Sequence, residues 1–350
     1  MRASRQGEVV AGAETPVVTV GLPSRFRQLS AALRDEAAAS GRPELAAEVD
    51  EFIARFRAEP QRLPRSARQR LEAQRLLRRL LTERRCYGVV YAWYEAFKAP
   101  YGVDERADVE LQAGQLADAA AGFGFLRGHD IVLECGCGAQ SLGLLLARHN
   151  RRWIASDVYR PEALAALEAR FAPVGPFEFR LVDGVTLEGI PDRSVDAVVS
   201  RSFLEHLLLD DAARHLENAA RVLRPGGIFV CLCPAGIGPP SDVTQEFPEY
   251  DMPQGLHIKE YRIAELASAL QRAGFSSVSS HFLRTRYLPP ALEAWNLIGP
   301  GAAARIEQMA QWSWPLARRT VRGRRAWRAM WAHVGATPLK VTAVRAAAGV

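Results

Sequence analysis

The chain reads as an α/β protein. The expected core is a doubly wound, mostly parallel sheet, preceded by an all-helical N-terminal cap and interrupted by a helical insertion before its last strand. Three observations predict this. Ile131-Val132-Leu133-Glu134-Cys135-Gly136-Cys137-Gly138-Ala139-Gln140 runs from apolar residues to an acid, then to two glycines one residue apart, and a helical pattern follows from Ser141 to His149. That order spells strand, tight turn and helix start. Beyond it, strand-like and helix-like segments alternate, as in repeated β–helix–β units. Before it, roughly the first 125 residues show helical spacing alone.

Residues 1–22 mix Gly, Ala, Val and Thr without period and are expected to form a loose tail. The cap spans 23–126 and is punctuated by Pro43, Pro60 and Pro64. Its helices are expected at Ser24–Ser40, Glu44–Ala58, Ser66–Glu83, the aromatic-dense Tyr87–Phe97 and Val109–Phe125. The core, 127–283, continues from the glycine turn with a strand at Trp153–Asp157, which ends in an acid. A helix at Pro161–Phe171 has Pro in its first turn, and a strand at Phe177–Val182 ends at Asp183-Gly184. Then come strand Val195–Ser200, helix Asp210–Leu223, the turn Pro225-Gly226-Gly227 and strand Ile228–Leu232. Helix Ile258–Ala273 and strand Ser276–Phe282 close this part. Residues 284–337 read as an insertion with helices at Pro290–Leu297, Ala302–Trp312 and Ala317–His333. In the closing segment 338–350, Leu339–Arg345 alternates apolar and polar residues like an edge strand.

Apolar residues make up 48% of the chain and charged residues 24%, the balance of a globular protein large enough for one sizeable core. No apolar run approaches the roughly 18–20 residues that span a bilayer. No apolar signal-peptide stretch opens the chain, so a cytoplasmic location is expected. The net charge is +6, yet 42 of the 45 basic residues are Arg, beside abundant Ala. That pattern reads as coding bias and argues only weakly for a polyanionic partner. Cys135, Cys137, Cys231 and Cys233 form two Cys-x-Cys pairs on or at the ends of apolar strands. Zinc would want Cys-x-x-Cys in a loop, so buried free thiols are expected.

Gly136-x-Gly138 alone leaves two cofactor classes open: a dinucleotide, its pyrophosphate at the helix N-terminus, or S-adenosylmethionine (SAM). A dinucleotide fingerprint wants Gly or Ala three residues after Gly138, where Ser141 stands. Asp157 suits ribose hydroxyls in either case. The linked motifs discriminate. Val132–Gly138, Asp157, Asp183-Gly184 with Leu187 and Ile190-Pro191-Asp192, Ser194–Ser200, Leu204-Glu205-His206-Leu207 and Arg221–Gly227 occur in that order. His257-x-x-x-Tyr261, Glu265-Leu266 and Ala273-Gly274-Phe275 follow. In these residues the chain resembles the class I SAM-dependent methyltransferases, over about residues 129–283 and the last strand. One position departs: Gln140 replaces the third glycine of the family's turn.

The resemblance implies a seven-stranded Rossmann-like sheet of order 3-2-1-4-5-7-6 with the seventh strand antiparallel. It implies SAM as cofactor, held by Glu134, Gly136, Cys137, Gly138, Asp157, Asp183, Gly184 and Ser200. The reaction it implies is methyl transfer to O, N or C of a small-molecule acceptor. Glu205 and His206 follow the fourth strand on the acceptor side. His206 and His257 are the candidate general bases and Glu205 a candidate acceptor contact. In quinone-type relatives a Glu three residues before such a Glu-His pair completes a metal site. Ser202 stands there in this chain, so no metal is expected.

Tyr87, Tyr91 and Tyr94, in an aromatic segment with Trp93, are expected to line the acceptor pocket under a helical lid. The insertion is lopsided in charge. From residue 308 onward there is no Asp or Glu, while Arg318, Arg319, Arg322, Arg324, Arg325, Arg328, Lys340 and Arg345 give eight positive charges. Trp312, Trp314, Trp327 and Trp331 are interleaved among them. A cap helix with inward tryptophans accounts for this most simply. A membrane surface or an anionic substrate through Arg318–Arg328 is the alternative. Nucleic acid is disfavoured, because no RNA-binding module is recognisable. Two other functions stay open: an RNA or lipid-linked methyltransferase using the basic segment, and a non-catalytic SAM-fold scaffold.

Overall fold

The computed structural model describes residues 24–58, 66–98, 105–171, 175–282, 297–333 and 338–346. The expected tail at 1–22 and most of the helix expected at Pro290–Leu297 lie outside them. One sheet organises the molecule. Its strands are β1 (Ile131–Cys135), β2 (Arg152–Asp157), β3 (Phe177–Leu181), β4 (Val195–Arg201), β5 (Leu223–Cys233), β6 (Phe275–His281), β7 (Leu297–Ile298) and β8 (Leu339–Arg345). Their spatial order is β3-β2-β1-β4-β5-β8-β6-β7. β1 to β5 pair in parallel, and β8 runs antiparallel to β5 and β6. This is the expected order, extended by the two-residue β7 beyond β6.

Two expectations change. Leu339–Arg345 is not an edge strand; it lies between β5 and β6, with Leu339, Val341 and Ala343 buried. Its alternating pattern misled because Lys340 sits at a polar-looking position yet is buried. Its ammonium donates to Gly122 O and lies 4.9 and 4.7 Å from the ring centres of Phe123 and Phe125. The helix expected from Ile258 begins only at Ile263 and ends at Arg272 (α9). The N–H groups of Ile258 and Lys259 bond Glu205 O instead (2.7 and 3.2 Å), and Glu265 accepts from Arg262 N at the true helix start.

Side chains alternate across each strand, so the sheet has two covered faces. Leu133, Cys135, Ile154, Val198, Phe229 and Cys231 join one buried cluster with the cap helices. Val132, Trp153, Ala155, Ala197, Val199 and Val230 join the other. The cap contains α1 (Ser24–Ala39), α2 (Pro43–Ala58), α3 (Ala67–Arg84) and α4 (Tyr87–Lys98). Trp93, fully buried, centres it against Phe26, Phe52 and Phe97. Helix α5 (Glu105–Ala121), the four-residue α6 (Gly143–Leu146) and α7 (Glu162–Phe171) lie on the opposite face. α8 (Leu209–Val222) follows β4 on the cap side.

The insertion folds as α10 (Pro300–Ala317) and α11 (Val321–His333). Trp314, Trp327 and Trp331 turn inward and are buried, and the indole N–H groups of Trp327 and Trp331 donate to Ser313 Oγ (2.8 and 3.1 Å). Trp312 faces outward, 69% exposed. Both oxygens of the buried Glu307 accept from Ile263 N (2.9 and 3.0 Å), which fixes α10 on the first turn of α9.

Candidate functional site

The site grows from the carboxyl ends of β1, β2 and β4, where an open parallel sheet leaves a crevice. Gly136 and Gly138 adopt left-handed φ of 60° and 55°, which a Cβ would strain. At Gly136 a Cβ would also lie 2.2 Å from the Phe203 ring. The turn is held from both sides. Cys137 N donates to Ser156 O (3.0 Å), and Gly138 N donates to Asp157 Oδ2 (2.9 Å). Asp157 Oδ1 also accepts from Val158 N (2.8 Å). Burial raises the Asp157 carboxyl to about 6 despite these donors.

A cavity of about 160 Å³ opens beside this turn. One wall is Gly136, Gly138, Asp157, Asp183, Gly184, Val185 and Phe203, whose ring packs against both Gly136 and Gly184; the other brings Tyr87, Tyr91, Glu95, Tyr159, His206 and Leu207 from the cap and from the segments after β2 and β4. The motif residues 136, 138, 157, 183 and 184 thus converge on one side. Tyr87, Tyr91 and His206 face them. Asp183 forms a turn, its Oδ1 accepting from Val185 N (2.8 Å). Gly184 O accepts from the buried His215 Nδ1 (2.7 Å); burial lowers that imidazole to about 4, so it stays neutral.

Other expected residues lie behind the wall. Glu134 is 1% exposed; its carboxylate accepts from Ser141 Oγ (2.6 Å), Leu142 N (3.0 Å) and Trp153 Nε1 (3.1 Å). It therefore anchors the turn from below, and these bonds keep residues 141 and 142 out of the helix that starts at Gly143. Cys137 and Ser200 are buried beneath the turn. Tyr94 points into the cap, where Gln74 Nε2 donates to its hydroxyl.

The acceptor side is a polar network. Tyr87 OH donates to Asp211 Oδ2 (2.8 Å) and accepts from Leu208 N (3.0 Å). Tyr91 meets His206 edge-on at 5.2 Å, and His206 meets His257 edge-on at 4.9 Å. His206 Nδ1 lies 3.1 Å from Leu256 O, and His257 Nδ1 lies 2.8 Å from Glu260 Oε1. Burial opposes a charge on His257, but the Glu260 hydrogen bond and the Glu205 charge leave its pKa above the ordinary value. Glu205 is 1% exposed, and burial pushes its carboxyl up to about 7. Ligand atoms of Glu205, His206 and His257 lie within 4.8 Å of one another.

Sequence reasoning missed the clamp that builds this side. Arg78 on α3 donates to Pro253 O, Gly255 O and His257 O (3.0, 3.3 and 3.3 Å), tying loop 253–258 to the cap. Gln74 Oε1 accepts from Leu256 N (3.2 Å). Nothing in an Arg-rich helix marks Arg78. Phe203 and Tyr159 were more legible, since each lies two or three residues after a motif at a strand end.

Residues 133–231 match the family model described as "Methyltransferase domain". Among curated proteins, the "Probable S-adenosylmethionine-dependent methyltransferase" of Mycolicibacterium smegmatis is 36% identical over 145 residues, 41% of this chain and 51% of that protein. The 27-O-demethylrifamycin SV methyltransferase of Amycolatopsis mediterranei is 30% identical over 138 residues, 39% of this chain and 50% of that protein. The chain thus spans about half the length of the curated relatives it matches. Among solved structures, the Burkholderia thailandensis 1,6-didemethyltoxoflavin-N1-methyltransferase is 18% identical with a TM-score of 0.40, covering 71% of this chain and 92% of that one. Over this part of the sheet the chain is thus similar to SAM-dependent methyltransferases.

Proposed function

We propose that the chain transfers the methyl group of SAM to a small-molecule acceptor. The observation that carries this is the single cavity with the glycine turn, Asp157 and Asp183 on one wall and Tyr87, Tyr91 and His206 on the other. The residues present fit the cofactor. Gly138 leaves open space at the turn, Asp157 offers oxygens to ribose hydroxyls, and Asp183-Gly184 lies where an adenine edge would be held. Bound there, SAM supplies a methyl group on a cationic sulfur. Such chemistry asks the protein mainly to align donor and acceptor and to exclude water. Tyr87, Tyr91 and Phe203 supply that enclosure. Tyr87 is pinned by Asp211 and Leu208, so its ring is a rigid wall. The acceptor approaches from the side of His206, the base candidate that lines the cavity. His257 stands behind it. The curated rifamycin relative acts on a small molecule by name, which favours that acceptor class over a macromolecule.

Calorimetry with SAM and S-adenosylhomocysteine tests the reading. One site per chain is expected, lost in Asp157→Ala; binding of NADH in its place would reject it. A tritiated-SAM transfer screen against fractionated extract would then identify the acceptor. A second reading concerns where the acceptor is met. Met309, Trp312 and Leu316 are 56%, 69% and 73% exposed and fall on one face of α10, near the exposed Arg319, Arg322 and Arg325. That stripe suits an anionic membrane surface or an anionic substrate. Sedimentation with phosphatidylglycerol vesicles should fall steeply with salt; equal binding to neutral vesicles, or none, removes this reading.

A further inference from the structure

We propose that Glu205, His206 and His257 bind one divalent transition-metal ion at the acceptor end of the cavity, and that the acceptor presents an oxygen to it. The part about the acceptor rests on the proposed methyltransferase reading; the metal site itself does not. Three observations carry the site. The three residues bring ligand atoms within 4.8 Å of one another. Both imidazoles are held by their Nδ1 atoms. Leu256 O, 3.1 Å from His206 Nδ1, can only accept, so that nitrogen carries a proton and Nε2 is the ring's ligand atom. His257 Nδ1 faces Glu260 Oε1 at 2.8 Å in the same sense, the carboxylate–histidine pairing that orients metal-bound imidazoles. Finally, Glu205 is 1% exposed, and its Oε2 has no hydrogen-bond partner among the described residues. One ligand atom from each of two imidazoles and one carboxylate therefore converge, with the carboxylate oxygen Oε2 unpartnered among the described residues. A cation satisfies that arrangement.

The donor set selects the ion. Two nitrogens and one oxygen suit zinc, iron(II), cobalt(II) or nickel(II), whereas magnesium and calcium prefer oxygen ligands throughout. Bonds of about 2.0–2.1 Å place ligand atoms roughly 3–3.5 Å apart, so the three side chains would close by up to about 1.3–1.8 Å. The position of Ser202 excluded a metal only for a ligand set drawn from one local run. His257 arrives from the loop before α9, held there by Arg78 and by Glu205 O. His206 also lines the cavity, so the cluster sits in its wall. A hydroxyl or enol oxygen bound to such an ion loses its proton to solvent more readily, which prepares it as a methyl acceptor; His206 then serves as a ligand and not as the base.

The test needs no acceptor. Metal-stripped full-length protein is titrated with Zn²⁺ by calorimetry and with Co²⁺ by visible absorption. One ion per chain is expected, with a Co²⁺ d–d band, weakened at least tenfold in Glu205→Gln and in His257→Ala. Affinity for SAM, measured on the same variants, reports that each still folds. Tight SAM binding without saturable Zn²⁺ binding overturns this inference and leaves the methyltransferase reading intact. Zn²⁺ binding that persists in both variants overturns it too, because the ion would then sit elsewhere. Failure of SAM to bind the unmodified chain rejects the methyltransferase reading instead.

Discussion

Replacing Gly136 by Ala probes the turn, because two separate costs fall on one atom. The φ of 60° places an L-residue in the left-handed region, at about 1–2 kcal/mol. The added Cβ would also lie 2.2, 2.7 and 2.9 Å from the Cδ2, Cγ and Cε2 atoms of Phe203. That ring cannot simply swing away. On its other side it abuts Gly184, where a Cβ would come within 2.5 Å of Cζ, and it meets His215 edge-on at 5.1 Å. Forcing it to shift costs about 1–3 kcal/mol, as overpacking does. The sum, about 2–5 kcal/mol, corresponds to a fall in Tm of about 4–20 °C at about 2–4 °C per kcal/mol. Gly138 supplies the control. Its φ is 55°, but a Cβ there meets nothing within 4 Å. Gly138→Ala should therefore carry only the backbone cost, about 1–2 kcal/mol. Scanning calorimetry of both variants, with and without SAM, measures the difference. Adding Phe203→Ala to Gly136→Ala should recover about 1–3 kcal/mol relative to additivity, the share assigned to the clash. Equal losses at the two glycines, or a strictly additive double variant, would refute the argument.

Further outcomes follow from the same geometry. With Asp157 raised to about 6 by burial, SAM affinity should be flat above pH 7 and weaken as pH falls through about 6, up to tenfold per unit. Asp157→Asn should bind weakly with no such pH dependence. The same raised value acts oppositely on the unliganded fold. Its contribution is fully present below about 3.9 and is lost as pH rises through about 6. Glu307, raised to about 7 by burial, likewise contributes stability at low pH that is lost between about 4.3 and 7. The gap in Tm between the parent and Glu307→Gln should change across that window and be constant above pH 8. Gly255→Ala places a Cβ 1.9 Å from Gln74 Oε1 and 2.5 Å from Asp242 Oδ2. It should loosen loop 253–258 from the cap, raising proteolysis of that loop while SAM affinity holds.

The strand–turn–helix at 131–149 was legible because it is local, whereas the order of the sheet came from the family resemblance. An apolar run, an acid and two glycines must turn wherever they occur, and Asp157 and Asp183 mark strand ends by chain position alone. The helix boundary at Ile263 was not legible, because residues 258 and 259 give their N–H groups to Glu205 O, more than fifty positions earlier. Leu339–Arg345 misread for a related reason: alternation normally means one solvated face, yet Lys340 found a carbonyl and two aromatic rings in the interior. The inward tryptophans of the insertion were legible, because large apolar side chains seek burial whatever the charges around them.

The sequence by itself determined the class of sheet, the glycine turn and the acids that flank it, since each depends on residues near in the chain. Only the tertiary structure decided which of those residues face the cavity. It placed Glu134 beneath the turn and Asp157 beside it, set Tyr91 rather than Tyr94 on the acceptor wall, and brought His257 to Glu205 and His206. Those choices depend on packing between segments far apart in the chain, where hydrogen bonds such as those of Arg78 and Gln74 select one arrangement and sequence spacing carries no record of them.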